Sequence, residues 1–149
     1  MTVQHSRPIQ ILLVEDSPTD TMLTLKALKL GKVANDVHHV DDGVQAMEFV
    51  RRQGIYSQVP RPDIILLDLN LPRKDGREVL QELKVDPQLK AIPVVVLTTS
   101  QADQDVLQSY QLHANCYITK PVSFERFLEV VTSVENFCLT VVALPTKQS

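Results

Sequence analysis

The sequence predicts an α/β fold built on a central five-stranded parallel sheet. Three observations carry that prediction. Short β-branched runs alternate with segments of helical period, the pattern of βαβ units. Several of those runs end in acidic or hydroxyl residues, as strands do when they deliver side chains to a sheet edge. Runs such as Ile64-Ile65-Leu66-Leu67 are apolar at every position, which suits a strand covered by helices on both faces.

Five strands follow, over residues 9–14, 36–40, 64–67, 94–97 and 116–118. The first helix is announced by Ser17-Pro18-Thr19-Asp20: Ser17 caps, Pro18 suits the first helical position, Asp20 favours the positive helix end, and the helix stops near Gly31. A second helix fits Val44 to Arg52 behind Asp42-Gly43, and a third fits Arg77 to Lys84, closed by Asp86-Pro87. A fourth is expected over residues 103–112. The last begins at Ser123, with Phe124, Phe127, Leu128 and Val131 forming its buried face. If that helix continues, Val130, Val134, Phe137 and Val141 form a second apolar stripe pointing elsewhere. Two readings of the stripe stand side by side: a tail folded back on its own body, or a surface for a partner. The stretch from Ile55 to Pro62 reads as a surface loop, and the polar residues before Pro8 and after Pro145 as loose ends.

Composition narrows the function. A chain of 149 residues, 44% apolar, is one domain able to bury a core. With a formal charge of −3 and no basic run longer than Arg51-Arg52, it has no footprint for nucleic acid or an anionic membrane. No apolar run approaches a membrane span or a secretory signal, so a cytoplasmic protein is expected, with Cys116 and Cys138 as buried reduced thiols.

The strand ends supply the chemistry. The first delivers Glu15-Asp16, the third Asp68, the fourth Thr98 and the fifth, two residues on, Lys120-Pro121. Asp41 and Asp42 after the second strand read as turn and cap residues, and His38 and His39 as strand and surface residues rather than metal ligands. Three carboxylates at one edge repel one another unless a cation sits among them, and an all-oxygen set favours Mg²⁺ or Mn²⁺. Such a cation, the Lys120 ammonium and the Thr98 hydroxyl together suit a phosphoryl group, with Asp68 as the carboxylate that carries it.

The blocks Ile-Leu-Leu-Val-Glu15-Asp16, Pro62-Asp63-Ile-Ile-Leu-Leu-Asp68-Leu-Asn-Leu-Pro72, Val-Val-Val-Leu-Thr98 and Tyr117-Ile-Thr-Lys120-Pro121 resemble the receiver domain of two-component response regulators. The resemblance covers residues 9–136, leaving 1–8 as a leader and 137–149 as a C-terminal extension. It implies a flavodoxin-like, doubly wound (βα)5 fold in which Asp68 accepts a phosphoryl group from a phosphohistidine on a sensor histidine kinase. Glu15 and Asp16 would form the acidic pocket with Asp68, Mg²⁺ or Mn²⁺ would sit on Asp16, Asp68 and the backbone carbonyl of Asn70, and Thr98 and Tyr117 would be the switch pair. The Lys120-Pro121 peptide is expected cis. No output domain is expected after the last helix, so signalling would run through protein contacts. Within the family the chain is most similar to single-domain regulators of cyanobacterial phytochrome kinases, through the loop Gly54-Ile-Tyr-Ser-Gln-Val-Pro60, the segment from His113 to Pro121 and the tail from Asn136 to Pro145. That similarity implies a phytochrome-type kinase as partner and a homodimer through the last helix and tail, with Cys138 where the subgroup commonly carries Trp.

Rival readings fit less well. A haloacid-dehalogenase-like phosphatase wants a second Asp two residues after the first, where Asn70 stands, and a dinucleotide fold wants glycines where Glu15-Asp16-Ser17-Pro18 stands. A receiver used as a phosphorylation-independent adaptor remains the alternative.

Overall fold

The computed structural model describes residues 7–31, 33–99 and 116–133. Its strands are β1 (Ile9–Val14), β2 (Asn35–Val40), β3 (Ile64–Asp68), β4 (Val94–Thr98) and β5 (Cys116–Thr119). Its helices are α1 (Pro18–Leu30), α2 (Gly43–Val50), α3 (Gly76–Val85) and a last helix, Phe124–Ser133. All strand pairings are parallel, in the order β2-β1-β3-β4-β5. The chain steps from β1 outward to β2, then returns to β3 on the other side of β1. That reversal opens a crevice beyond the carboxyl ends of β1 and β3, where ligands of open α/β sheets bind.

Strand pleating sorts the core into two layers. Leu12, Val14, Ile65, Leu67, Val94 and Val96 face α2 and α3, where they meet Ala46, Met47, Phe49, Val79, Leu80 and Leu83. Ile11, Leu13, Ile64, Leu66, Val95 and Leu97 face α1 and the last helix, where they meet Leu28, Phe127, Val130 and Val131. The fully apolar runs are thus strands buried on both faces, as the sequence pattern requires.

Local chemistry sets the helix ends. Ser17 caps α1, its side chain accepting from the Asp20 amide, and Pro18 takes the first position. Gly31 caps the end of α1, and the Phe124 ring packs where a Cβ on it would stand. Asp42 caps α2 through the Gln45 amide at 2.8 Å. That helix is shorter than expected, ending at Val50, because Arg52 and Gly54 take φ values of 55° and 57° and the chain turns into a 3₁₀ segment, Gly54–Tyr56, inside the expected loop. Asp75 and Glu78 form a capping box on α3, and Ser123 caps the last helix through the Arg126 amide.

One residue of the proposed second stripe is corrected. Val130 is only 1% exposed and lies in the inner layer with Phe127 and Val131. Positions i, i+3 and i+4 fall on one helix face, so a helix covering a sheet buries 127, 130 and 131 together. Val134, Phe137, Val141 and Cys138 lie outside the described residues, as does the expected helix over 103–112. No described helix is long and apolar enough to cross a membrane.

Candidate functional site

The crevice between β1 and β3 gathers the charged residues that the strand ends deliver. Glu15 extends β1, its amide bonded to the Val40 carbonyl, so its side chain is committed to the interior at 0% exposure. Asp68 ends β3 and is 6% exposed; Asp16 is exposed at the rim. One carboxylate oxygen from each of Glu15, Asp16 and Asp68 lies within 4.8 Å of the other two.

Lys120 enters from the far side of the sheet, after β5. Its amide donates to the Thr98 carbonyl at 2.7 Å, and its peptide bond to Pro121 is cis, as expected. Its ammonium donates to Asp20 Oδ2 at 2.9 Å, Glu15 Oε1 at 3.0 Å and Asp68 Oδ2 at 3.3 Å. The other oxygen of Glu15 accepts from the Ser17 amide at 3.2 Å, and Oδ1 of Asp68 from the Asn70 amide at 3.3 Å.

The electrostatics are short of positive charge. Burial, and then the neighbouring Asp68 carboxyl, push Glu15 up to about 7, with Lys120 opposing. Burial works to lower the Lys120 pKa, but its hydrogen bonds to Asp20 and Glu15 and the charge of Asp68 outweigh it and hold the group above its ordinary value. A single ammonium therefore faces three acidic side chains, and Glu15 answers by holding on to a proton near neutrality. A second cation would relieve that deficit. Three converging hard oxygens with no nitrogen or sulfur donor suit a divalent ion of the Mg²⁺ or Mn²⁺ type.

Thr98 ends β4, one strand from Asp68. Its hydroxyl is buried and has no hydrogen-bond partner among the described residues. An orphaned buried hydroxyl is costly. Tyr117 pairs in register with Val96, so it shares a sheet face with Thr98. The Tyr117 side chain is half-buried against the α2/α3 layer, and burial pushes its phenol up.

The structure thus brings together Glu15, Asp16, Asp68 and Lys120, with the Asn70 backbone bonded to Asp68 and Thr98 at the end of the neighbouring strand. Asp42 and Asp41 serve the turn and cap before α2 as expected. Two neighbours escaped sequence reasoning. Asp20, read only as a helix-end acid, is a direct partner of Lys120, and no local signal in the sequence could have found it. His39 sits on β2 as expected, yet its Nε2 donates to the Glu15 carbonyl at 2.8 Å, bracing the site from behind.

Comparison with known proteins agrees with this geometry. Residues 11–132 match the response regulator receiver domain. The chain is 49% identical over 145 residues to the response regulator Rcp1 of Synechocystis sp., covering 97% of this chain and 99% of Rcp1. The structure resembles the bacteriophytochrome response regulator AtBRR with a TM-score of 0.82 and 41% identity, over 87% of this chain and 94% of that one. It resembles the phosphorylated cyanobacterial phytochrome response regulator RcpA with a TM-score of 0.73 and 49% identity, over 93% and 99% of the two chains. The Mn²⁺-bound form of Rcp1 gives a TM-score of 0.71 and 51% identity, again over 93% and 99%. On fold, motif order and these matches, the chain belongs to the response regulator receiver domain family.

Proposed function

We propose that Asp68 is the phosphoryl acceptor of this receiver and that its donor is a phosphohistidine of a phytochrome-type sensor histidine kinase. The observation that carries this reading is the Lys120 ammonium held by Glu15, Asp20 and Asp68 at 2.9–3.3 Å, with the Thr98 hydroxyl at the end of the neighbouring strand buried without a hydrogen-bond partner among the described residues. In the transfer, an Asp68 oxygen attacks phosphorus, the phosphorus–nitrogen bond breaks, and the imidazole nitrogen keeps the electron pair and takes up a proton. Asp68 is placed for attack by the Asn70 amide on one oxygen and Lys120 on the other. Asp16 and Asp68, with the Asn70 carbonyl and the charge of Glu15 behind them, would hold Mg²⁺ or Mn²⁺, which supplies charge neutralisation at the phosphoryl oxygens. Lys120 turns from Asp68 to a phosphoryl oxygen, and Thr98 acquires an acceptor for its hydroxyl. Satisfying Thr98 draws the end of β4 toward Asp68 and vacates space on the face it shares with Tyr117, so the ring follows inward and alters the surface around β5.

The phosphorylated state of RcpA and the Mn²⁺-bound state of Rcp1 support the phosphoryl and cation chemistry of this reading. So does the surface around the rim. Met22, Leu23 and Leu25 are exposed on α1, and a groove of about 620 Å³ runs from Met22 and Leu25 to Asp16, an apolar approach for a partner helix to the acidic edge. The apolar tail positions Val134, Phe137 and Val141 are proposed as a contact with a second copy, tested by light scattering of the full chain against one cut after Ser133.

The test of the partner is transfer from a cyanobacterial phytochrome histidine kinase, autophosphorylated with labelled ATP, to this chain and to Asp68→Asn. The reading expects label only on the unaltered chain, with kinase label lost in step. Retention of all label on the kinase would leave the fold acting as an adaptor without phosphorylation.

A further inference from the structure

Of the two described non-glycine residues with positive φ, Arg52 follows the end of α2, whereas Arg73 stands in the loop from Asp68 to α3 with φ 65°. A left-handed arginine costs roughly 1 kcal/mol, and glycine would avoid that cost. The side chain explains the choice. The Arg73 guanidinium crosses to α2 and donates to Asp42 Oδ2 at 3.1 Å. The Asp42 side chain is 7% exposed against 58% for Arg73, so the loop reaches inward to a buried carboxylate. The other oxygen of Asp42 caps α2 through the Gln45 amide. One carboxylate therefore fastens a helix start and a loop at once.

The rest of the loop is held close. The Lys74 carbonyl lies where a Cβ on Gly43 would stand, and the Lys74 ammonium pairs with Glu82 of α3. At the far end the Gly76 amide donates to the Leu69 carbonyl at 3.0 Å, and a Cβ on Gly76 would strike the Asp68 carbonyl. Between these fastenings lies Asn70, whose amide aims Asp68 Oδ1.

We infer that the Asp42–Arg73 pair is a positioning latch: by fixing the loop it sets the Asn70 backbone, and through it the orientation of Asp68 and the divalent-cation site. This rests on the divalent-cation reading above. Both residues would act through the loop rather than on the transferred group. Without the guanidinium, Asp42 Oδ2 loses its partner and the loop loses its anchor on α2.

Arg73→Asn removes the guanidinium while tolerating positive φ, Arg73→Lys keeps a cation, and Asp42→Asn keeps a capping oxygen while losing the charge. Each full-length chain is titrated with Mn²⁺ by calorimetry without phosphodonor, its thermal midpoint is recorded, and its rate of labelling by acetyl phosphate is followed. Arg73→Asn and Asp42→Asn should each weaken Mn²⁺ binding roughly tenfold, as loss of a support behind a metal ligand does. The double variant should be no weaker than either single one, and Arg73→Lys should recover most of the affinity. A change in midpoint with unchanged Mn²⁺ affinity would overturn the latch, as would losses that add in the double variant or absence of Mn²⁺ binding by the unaltered chain. The two readings fail separately: if Arg73→Asn binds Mn²⁺ and labels normally, the latch falls and the acceptor stands. If Mn²⁺ binding responds but Asp68 is never labelled, the acceptor falls and the latch stands.

Discussion

Replacing Glu15 by Gln should make the protein more stable at alkaline pH and change it little in acid. Glu15 is fully buried, and its carboxyl is raised from 4.5 to about 7, by burial first and by the Asp68 carboxyl second. A carboxyl whose folded pKa exceeds its unfolded value favours the folded state while it is protonated. That contribution is complete below about 4.5 and is lost as pH rises through about 7. Each tenfold difference in proton affinity between the folded and unfolded states is worth about 1.36 kcal/mol, so integration from about pH 5 to about pH 8 gives a loss of about 2–3 kcal/mol. Gln keeps the shape and cannot ionise, so the unfolding free energy of Glu15→Gln minus that of the unaltered chain should rise by this amount across the interval. Groups common to the two chains cancel in the difference. Urea unfolding followed by circular dichroism at the two pH values reads the difference, and saturating Mn²⁺ should raise the stability of the unaltered chain most at the higher pH. A difference that stays flat with pH would refute the claim that Glu15 carries the charge deficit of the site.

Other perturbations follow from the same contacts. Lys120→Met leaves Glu15, Asp20 and Asp68 without their shared ammonium and should lower stability by about 3–5 kcal/mol near pH 8, less near pH 5 where Glu15 takes a proton, as read by urea unfolding. Thr98→Val removes a buried hydroxyl without a partner among the described residues and should raise the unfolding free energy by about 1 kcal/mol while uncoupling phosphorylation from changes around Tyr117, visible as unaltered tyrosine fluorescence on labelling. Gly76→Ala places a methyl group against the Asp68 carbonyl and should cost about 2 kcal/mol or more, with slower labelling by acetyl phosphate.

Much of this architecture is legible in the sequence because each signal is local. The four apolar residues from Ile64 to Leu67 suit a strand covered on both faces, and Ser17-Pro18 suits a helix start. The acidic site is legible because sheet topology turns strand ends into neighbours: Glu15, Asp68 and Lys120 are far apart in the chain but share one edge. What escaped depends on tertiary approach. Asp20 satisfies a helix end by itself, so nothing local announces a bond to a lysine 100 residues away. The burial of Val130 was missed because two apolar stripes on a short helix differ by one position, and only the width of the covering sheet decides which is inside. The left-handed Arg73 gives no sequence sign, since its reason lies on α2 in Asp42.

The central claim is that Asp68 carries the phosphoryl group. It is tested most directly by the intact mass of the unaltered chain and of Asp68→Asn after incubation with acetyl phosphate and Mg²⁺, extended to a phosphorylated histidine kinase as donor. The account predicts a gain of one phosphoryl group, about 80 Da, on the unaltered chain alone, with both chains folded by circular dichroism. Equal gain on Asp68→Asn, or no gain from either donor on the unaltered chain, would contradict it.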